Sequence, residues 1–496
     1  MSALGGLFVV LAAWLGGRAL LPARSTLARS RWEEACLAWA AGTSALTVLA
    51  TALAWLGLPL SPAVAWGMLG AAAIAGLGRL RRDRRESLAP APGGRPLHLL
   101  LAILAAATAA GTLVFPLNEF DPLIHFALKG KLLAAGADPA GPAFTGVTAE
   151  FGRIMTHPNY PLGIPILEAL TARIGGGWDD RWVQLPLAFW TACLPGLVAA
   201  GLRPWGEAAA GRGALLAASI PILVVRDFFA EWPLRLTDAG ISGGILLGGG
   251  GDLALAACFA AACALLVRAR RSGSLCTAAV AGLCLAGGAM LKNEGAALLA
   301  VLALAQLLVL AVPGPAAAAP TRPWRPAGVA VALALLLATP WFLHRSRLPS
   351  IDEAYSSRLT PTALAAAFRP ERTTKEVFGQ RAGEESEAAA GRPRAAVVAG
   401  YFAVEAGDLA SWGLLWPLFL LGLPLRPRRG DPERRWLALA VLGGIAAYAL
   451  VLLIPPWYLP SLRATGIPER LLVHLVGPAA MTAAAAVGRR GAASMA

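Results

Sequence analysis

Apolar residues run along this chain in long blocks. Each block is roughly 17–25 residues long and nearly free of charge, which is the length that crosses a hydrocarbon core. The blocks lie near 2–22, 35–57, 62–79, 97–116, 183–200, 212–226, 242–267, 273–290, 295–311, 326–343, 404–423, 434–454 and 469–487. In lipid a segment must satisfy its own backbone polar groups, so each block predicts an α-helix. The pattern predicts an all-α polytopic membrane protein with about thirteen transmembrane helices. The first block lacks a basic start and a clear cleavage site, which predicts a retained helix rather than a signal peptide.

Composition agrees with this reading. Of 496 residues, 57% are hydrophobic and only 15% charged, too much apolar surface for one soluble core. The net charge of +14 raises the question of nucleic acid. Its distribution excludes that partner, because the arginines sit in short loops between apolar blocks, as orientation signals do. One such loop holds Arg79, Arg81, Arg82, Arg84 and Arg85, and a second Arg268, Arg270 and Arg271. A third holds Arg426, Arg428, Arg429, Arg434 and Arg435, and the tail ends with Arg489 and Arg490. Counting crossings puts all four on one side, with the N-terminus outside and the C-terminus in the cytoplasm. The six cysteines lie within or at the ends of apolar blocks without a Cys-x-x-Cys pair, so they read as small core residues. The alanine and glycine richness reads as compositional bias, and no internal repeat is visible.

The same count places 117–182, 226–241, 346–403, 455–468 and the turn Lys292–Glu294 outside. Four regions follow: N-terminal helices and a basic loop over 1–95, a membrane core over 96–345, an outer loop or cap over 346–403, and C-terminal helices over 404–496. Most charges not explained by orientation fall in the outer segments. The first outer loop opens with Asn118-Glu119-Phe120-Asp121-Pro122, then Leu123-Ile124-His125-Phe126-Ala127-Leu128-Lys129-Gly130-Lys131. Asp121 before Pro122 predicts a capped, short amphipathic helix lying at the interface, with His125 and Lys129 following at four-residue steps. Asp121 either caps that helix, with Lys129 meeting lipid phosphates, or forms with Glu119 an acidic pair suited to a general base or a divalent metal ion. The stretch His157-Pro158-Asn159-Tyr160-Pro161-Leu162-Gly163-Ile164-Pro165-Ile166-Leu167-Glu168 is too rich in proline to span, and predicts a kinked interfacial or re-entrant element.

These two stretches, in this order, resemble the first outer loop of bacterial GT-C glycosyltransferases, the superfamily that includes protein O-mannosyltransferases and lipid A aminoarabinose transferases. Three later pieces fit. Gly249-Gly250-Gly251-Asp252-Leu253-Ala254-Leu255-Ala256 is similar to a helix start that often reads Tyr-Ala-Asp-x-Pro-Leu-Ala. Leu291-Lys292-Asn293-Glu294-Gly295 is similar to a Thr-Lys-Asn-Glu-Gly turn, and Thr465-Gly466-Ile467-Pro468-Glu469-Arg470-Leu471-Leu472 to an Arg-Leu element opening the last helix. The chain departs from the pattern at Asn159, where relatives often carry Asp, at Gly251 and Leu253, and in the three spans before the acidic motif.

The resemblance implies an inner-membrane enzyme that moves a sugar from a polyprenyl-phosphate carrier to a glycan, lipid or protein acceptor on the periplasmic or exterior side. A direct displacement needs one base for the acceptor hydroxyl and cations for the leaving phosphate. It implies Asp121 as base, with Glu119 second. His157 and Tyr160 would orient substrate, and Arg470 or Arg463 would hold the phosphate through the planar guanidinium fork. Lys129, Asp252, Lys292 and Glu294 are further substrate-binding candidates. Asp252 reads equally as a helix cap, and Lys292 with Glu294 as a solvated turn. A transporter or flippase predicts charges at mid-membrane instead. A glycan polymerase or ligase of another fold predicts a large late loop, for which 346–403 qualifies.

Overall fold

The computed structural model describes residues 2–23, 30–83, 94–114, 122–139, 141–145, 147–148, 152–153, 158–224, 251–311, 324–348, 359–369, 392–423, 431–454 and 467–487. The chain is helical nearly throughout these segments. Helices α1 (Ser2–Leu20), α2 (Arg31–Trp55), α3 (Pro62–Asp83) and α4 (Gly94–Val114) come first. A π-helical turn, Pro122–Ala127, then leads into α5 (Leu128–Ala135), and α6 (Pro142–Thr145) follows. Two antiparallel two-residue strands, β1 (Val147–Thr148) and β2 (Gly152–Arg153), pair Val147 with Arg153. Next come α7 (Gly163–Gly175), α8 (Leu185–Leu202), α9 (Glu207–Ala218) and α10 (Pro221–Val224). The later helices are α11 (Asp252–Ser272), α12 (Leu275–Leu291), α13 (Glu294–Ala311), α14 (Trp324–Arg345), α15 (Pro361–Ala366), α16 (Arg394–Gly407), α17 (Leu409–Trp412), α18 (Leu415–Gly422), α19 (Pro432–Leu453), α20 (Ile467–Val473) and α21 (Val476–Val487).

Among the described residues, seven helices are long and apolar enough to cross a membrane: Ala3–Leu20, Arg31–Trp55, Pro62–Asp83, Trp182–Trp205, Asp252–Ser272, Trp324–Arg345 and Pro432–Leu453. The chain is thus an all-α multi-pass membrane protein by the length and apolar character of its helices. Several other blocks differ in detail from the hydropathy pattern. Within the block at 242–267, α11 starts at Asp252, after Gly251 in the left-handed region at φ +78°. The block at 404–423 is broken twice. Asp408 ends α16 and caps α17, accepting from Ala410 N–H at 3.0 Å, and Gly413 (φ +54°) then separates α17 from α18. The block at 469–487 is interrupted by a turn at His474 and Leu475. Hydropathy averages over windows and does not see these single-residue breaks.

Helix α11 is the centre of the bundle, buried from Asp252 to Arg270 and packed by α2, α8, α12, α14 and α21. Many helices meet through glycine and alanine. A Cβ on Gly17 would stand 1.7 Å from the Ala38 carbonyl oxygen, and one on Gly42 would stand 1.8 Å from that of Ala13, so α1 and α2 touch backbone to backbone. Gly477 approaches Ala260 in the same way. The glycine and alanine richness therefore has a positional use, close helix packing in a bundle that gains little from hydrophobicity against lipid.

Described residues of three of the arginine loops gather at one end. Arg18 at the end of α1 pairs with Glu34 at the start of α2, and with Asp83 at the end of α3 at 3.1 Å. Glu33 accepts from Arg203 at 2.8 Å. Arg271 donates to the Pro204 carbonyl at 2.5 Å, lies 3.7 Å from Asp431 and stacks on Trp205. Seven helix ends, those of α1, α2, α3, α8, α9, α11 and α19, are linked by this network, to which Glu207 of α9 adds a 3.3 Å pair with Arg203. We call this the arginine end of the bundle.

Candidate functional site

The opposite end is set by α11 itself. Asp252 opens the helix and Arg271 nearly closes it, so about 28 Å of helix separates them at 1.5 Å per residue. Asp252 is buried against hydrocarbon-facing helices, where a carboxylate is costly unless it is partnered. Among the described residues it has three partners. Lys292 Nζ donates to Oδ1 at 2.5 Å, Arg470 Nε donates to Oδ2 at 3.0 Å, and His474 Nε2 lies 2.8 Å from Oδ1.

Each partner arrives for a local reason. Lys292 follows α12 in an extended conformation (φ −149°), and its turn reverses the chain directly into α13 at Glu294. The turn is tight because Gly295 lies against the Gly288 carbonyl, where a Cβ would come within 2.3 Å. That contact explains why glycine closes the Lys-Asn-Glu-Gly sequence. Glu294 Oε1 stands 4.0 Å from Lys292 Nζ, at the margin of the cluster. Arg470 lies on α20, and His474 in the turn just after it, so one short element delivers both. Tyr448, near the end of α19, reaches His474 Nδ1 through its hydroxyl at 2.9 Å. Both oxygens of Asp252 are engaged by hydrogen-bond donors, the chemistry of an ion-pair hub rather than of a metal ligand. Among the described residues no group of three His, Cys, Asp or Glu side chains is arranged to hold a metal ion.

The loop after α4 abuts this hub. Lys129 is fully buried, and its ammonium donates to the Tyr160 carbonyl at 2.9 Å and the Pro158 carbonyl at 3.4 Å. Burial lowers its pKa to about 7. Lys129 therefore clasps the Pro158–Tyr160 turn onto α5 and does not reach lipid phosphates. Its helix is not an exposed amphipathic one: His125, Phe126, Ala127, Gly130 and Leu133 are buried too. The Tyr160 ring lies 5.1 Å from His125 and 6.0 Å from Phe126. The proline-rich stretch also settles into a regular helix, α7, because Pro165 falls in its first turn, where no backbone N–H is needed. The α7 start packs on the hub. A Cβ on Gly163 would stand 2.5 Å from the Met290 carbonyl, and one on Gly251 would meet Ile164 and Lys292 at 3.3 Å.

Of the residues singled out in the sequence, Asp252, Lys292, Glu294 and Arg470 come together, and Lys129 and Tyr160 form an adjoining cluster. Glu119, Asp121, His157 and Arg463 lie outside the described residues. His474 and Tyr448 join the hub without any sequence signal beyond being polar residues in apolar helices. Glu168, inside α7, is fully buried. Among the described residues its carboxyl oxygens have no hydrogen-bond partner, and burial, with nearby Asp180, pushes its pKa well above the usual carboxylate range. Comparison with models of known protein families gives no match, and no curated protein matches the chain.

Proposed function

We propose that the chain is a GT-C-like membrane glycosyltransferase with about thirteen crossings, transferring a sugar from a polyprenyl-phosphate donor to an acceptor at the Asp252 end of the bundle, on the non-cytoplasmic side. The observation that carries this reading is the convergence on Asp252. Lys292 and Arg470 belong to two motifs quoted separately for the resemblance, and they meet on the carboxylate of a third. Asp252 holds two cations at one end of the bundle, and Arg470 remains partly exposed, with a side-chain accessibility of 28%. Such a pair suits a leaving phosphate, whose developing charge must be met by fixed donors. In this reading Arg470, with Arg463 as the alternative, binds the carrier phosphate, and Asp252 orients Arg470 and Lys292. Asp121 takes the proton of the acceptor hydroxyl as that oxygen attacks the anomeric carbon, with Glu119 the second choice. The electron pair of the broken sugar–oxygen bond leaves with the phosphate, and the anomeric centre inverts. His157 and Tyr160 orient the substrates.

A transporter is less well supported, because in the seven candidate spans the charged side chains lie near the helix ends rather than at mid-helix. The test is transfer of labelled sugar from polyprenyl-phosphate sugars by the purified chain. Asp121→Asn keeps N-capping ability but cannot take a proton, so transfer should fall on the order of 10²-fold at normal membrane levels. Arg470→Ala should reduce transfer at least about tenfold, and Arg470→Lys should not fully restore it. Absence of transfer from every polyprenyl-phosphate sugar, or full activity in Asp121→Asn, Glu119→Gln and Arg470→Ala alike, would remove this reading.

A further inference from the structure

We infer that Tyr448 and His474 form a positioning pair that fixes the Asp252 carboxylate and, through it, the phosphate-binding face of Arg470 and Lys292; this rests on the phosphate reading of the hub. Tyr448, His474 and Asp252 form a buried hydrogen-bonded chain. Tyr448 is 2% exposed and His474 is 0% exposed, so neither touches a substrate. Asp252 follows at 4%, and Arg470 stands in front of it, partly exposed. A carboxylate oxygen only accepts, so His474 Nε2 carries a hydrogen and donates it to Oδ1. The other ring nitrogen is held by the Tyr448 hydroxyl at 2.9 Å. The ring is thus fixed at both ends, by α19 on one side and by α11 on the other.

The effect on the cations is geometric. Among the described residues Oδ1 is shared by Lys292 and His474, whereas Oδ2 accepts from Arg470. A carboxylate turns easily about its Cβ–Cγ bond, and a turn would swing the Arg470 anchor. The His474 bond removes that freedom. The Arg470 guanidinium is thereby held to Asp252 through Nε. Among the described residues His474 meets Asp252 from α11 and Tyr448 from α19, and Asp252 in turn holds Lys292 from the α12–α13 turn and Arg470 from α20. A merely space-filling histidine needs none of these contacts.

The experiment is titration of the purified full chain in detergent with undecaprenyl phosphate, followed by native mass spectrometry, with the uncharged polyprenol as control and the melting temperature of each variant recorded. Wild type should bind the phosphate in preference to the alcohol, and Arg470→Ala should lose that preference. Tyr448→Phe keeps the ring and His474→Phe keeps an aromatic side chain, somewhat larger than the imidazole; both lose the polar bonds and should weaken phosphate binding about tenfold, the scale of a hydrogen bond to a charged group. His474→Gln restores an N–H donor near the Nε2 position and should bind more tightly than His474→Phe. Should His474→Phe fail to fold, Tyr448→Phe and His474→Gln carry the test. Wild-type binding in Tyr448→Phe, or binding by His474→Gln no better than by His474→Phe, overturns the positioning pair and leaves the phosphate reading standing. No phosphate preference in wild type, or one that survives in Arg470→Ala, overturns the phosphate reading and the pair with it.

Discussion

Lys129 shows what a single buried charge demands. Its ammonium has given up water for two backbone carbonyls, and the cost of that burial sets its pKa near 7, well below the 10.5 of an exposed lysine. Between those values the unfolded loop binds a proton that the folded loop does not, so the contribution of Lys129 to stability rises with pH from about 7 to about 10.5. Below about pH 7 both states are protonated and the penalty is constant. Lys129→Met should therefore flatten the rise of melting temperature with pH over that window, by at most about 1.4 kcal/mol per pH unit. Parallel curves for wild type and variant would show that Lys129 keeps its proton throughout. The stretches holding Asp252, Lys292 and Arg470 are singled out in the sequence by the resemblance, whereas charge pattern alone reads Lys292 with Glu294 as a solvated turn. The burial of Lys129 was not legible, since periodicity placed it on an exposed face that the Pro158–Tyr160 turn covers.

At the scale of the element, hydropathy located most helices but not their breaks or their faces. Asp408 and Gly413 divide one apolar block into three helices, and Gly251 sets the start of α11 at Asp252, each through one residue of cap or turn geometry that a window average cannot resolve. Helix faces were hidden for a different reason. With alanine, glycine and leucine on every side, no stripe distinguishes a lipid face from a packed one. The structure distinguishes them at the glycines. Gly42 leaves no room for a Cβ against the Ala13 carbonyl, whereas Gly67 on α3 has nothing within 4 Å. Gly42→Ala should push α1 from α2 and lower stability by about 1–3 kcal/mol, the usual cost of overpacking. Gly67→Ala should be neutral, within about 0.5 kcal/mol. Equal melting temperatures for the two variants in detergent would show that α1 and α2 do not cross at Gly17 and Gly42.

For the whole molecule, two charged layers fix the orientation problem. The arginine end links the turns after α3 and α11 to the start of α19, so these must share one side of a membrane whichever side it is. The Asp252 hub and α5 lie at the other end, joined through the contacts of Gly163 with Met290 and of Gly251 with Lys292. The loop count in the sequence reached the same grouping because short basic loops are held on the cytoplasmic side. The hub was not legible as a unit, because its members lie 40 and 218 residues apart in sequence and only the fold joins them. Single cysteines at Arg82, Ser272 and Ala135, all exposed, can be placed in a chain whose native cysteines have been replaced. An impermeant thiol reagent on intact cells should label Ala135→Cys, and label Arg82→Cys and Ser272→Cys only after permeabilisation. Labels that separate Arg82 from Ser272 would contradict the helix arrangement itself. Labels on Arg82 and Ser272 but not on Ala135 would keep the fold and invert it, placing the Asp252 hub in the cytoplasm, where a non-cytoplasmic transferase cannot have its site.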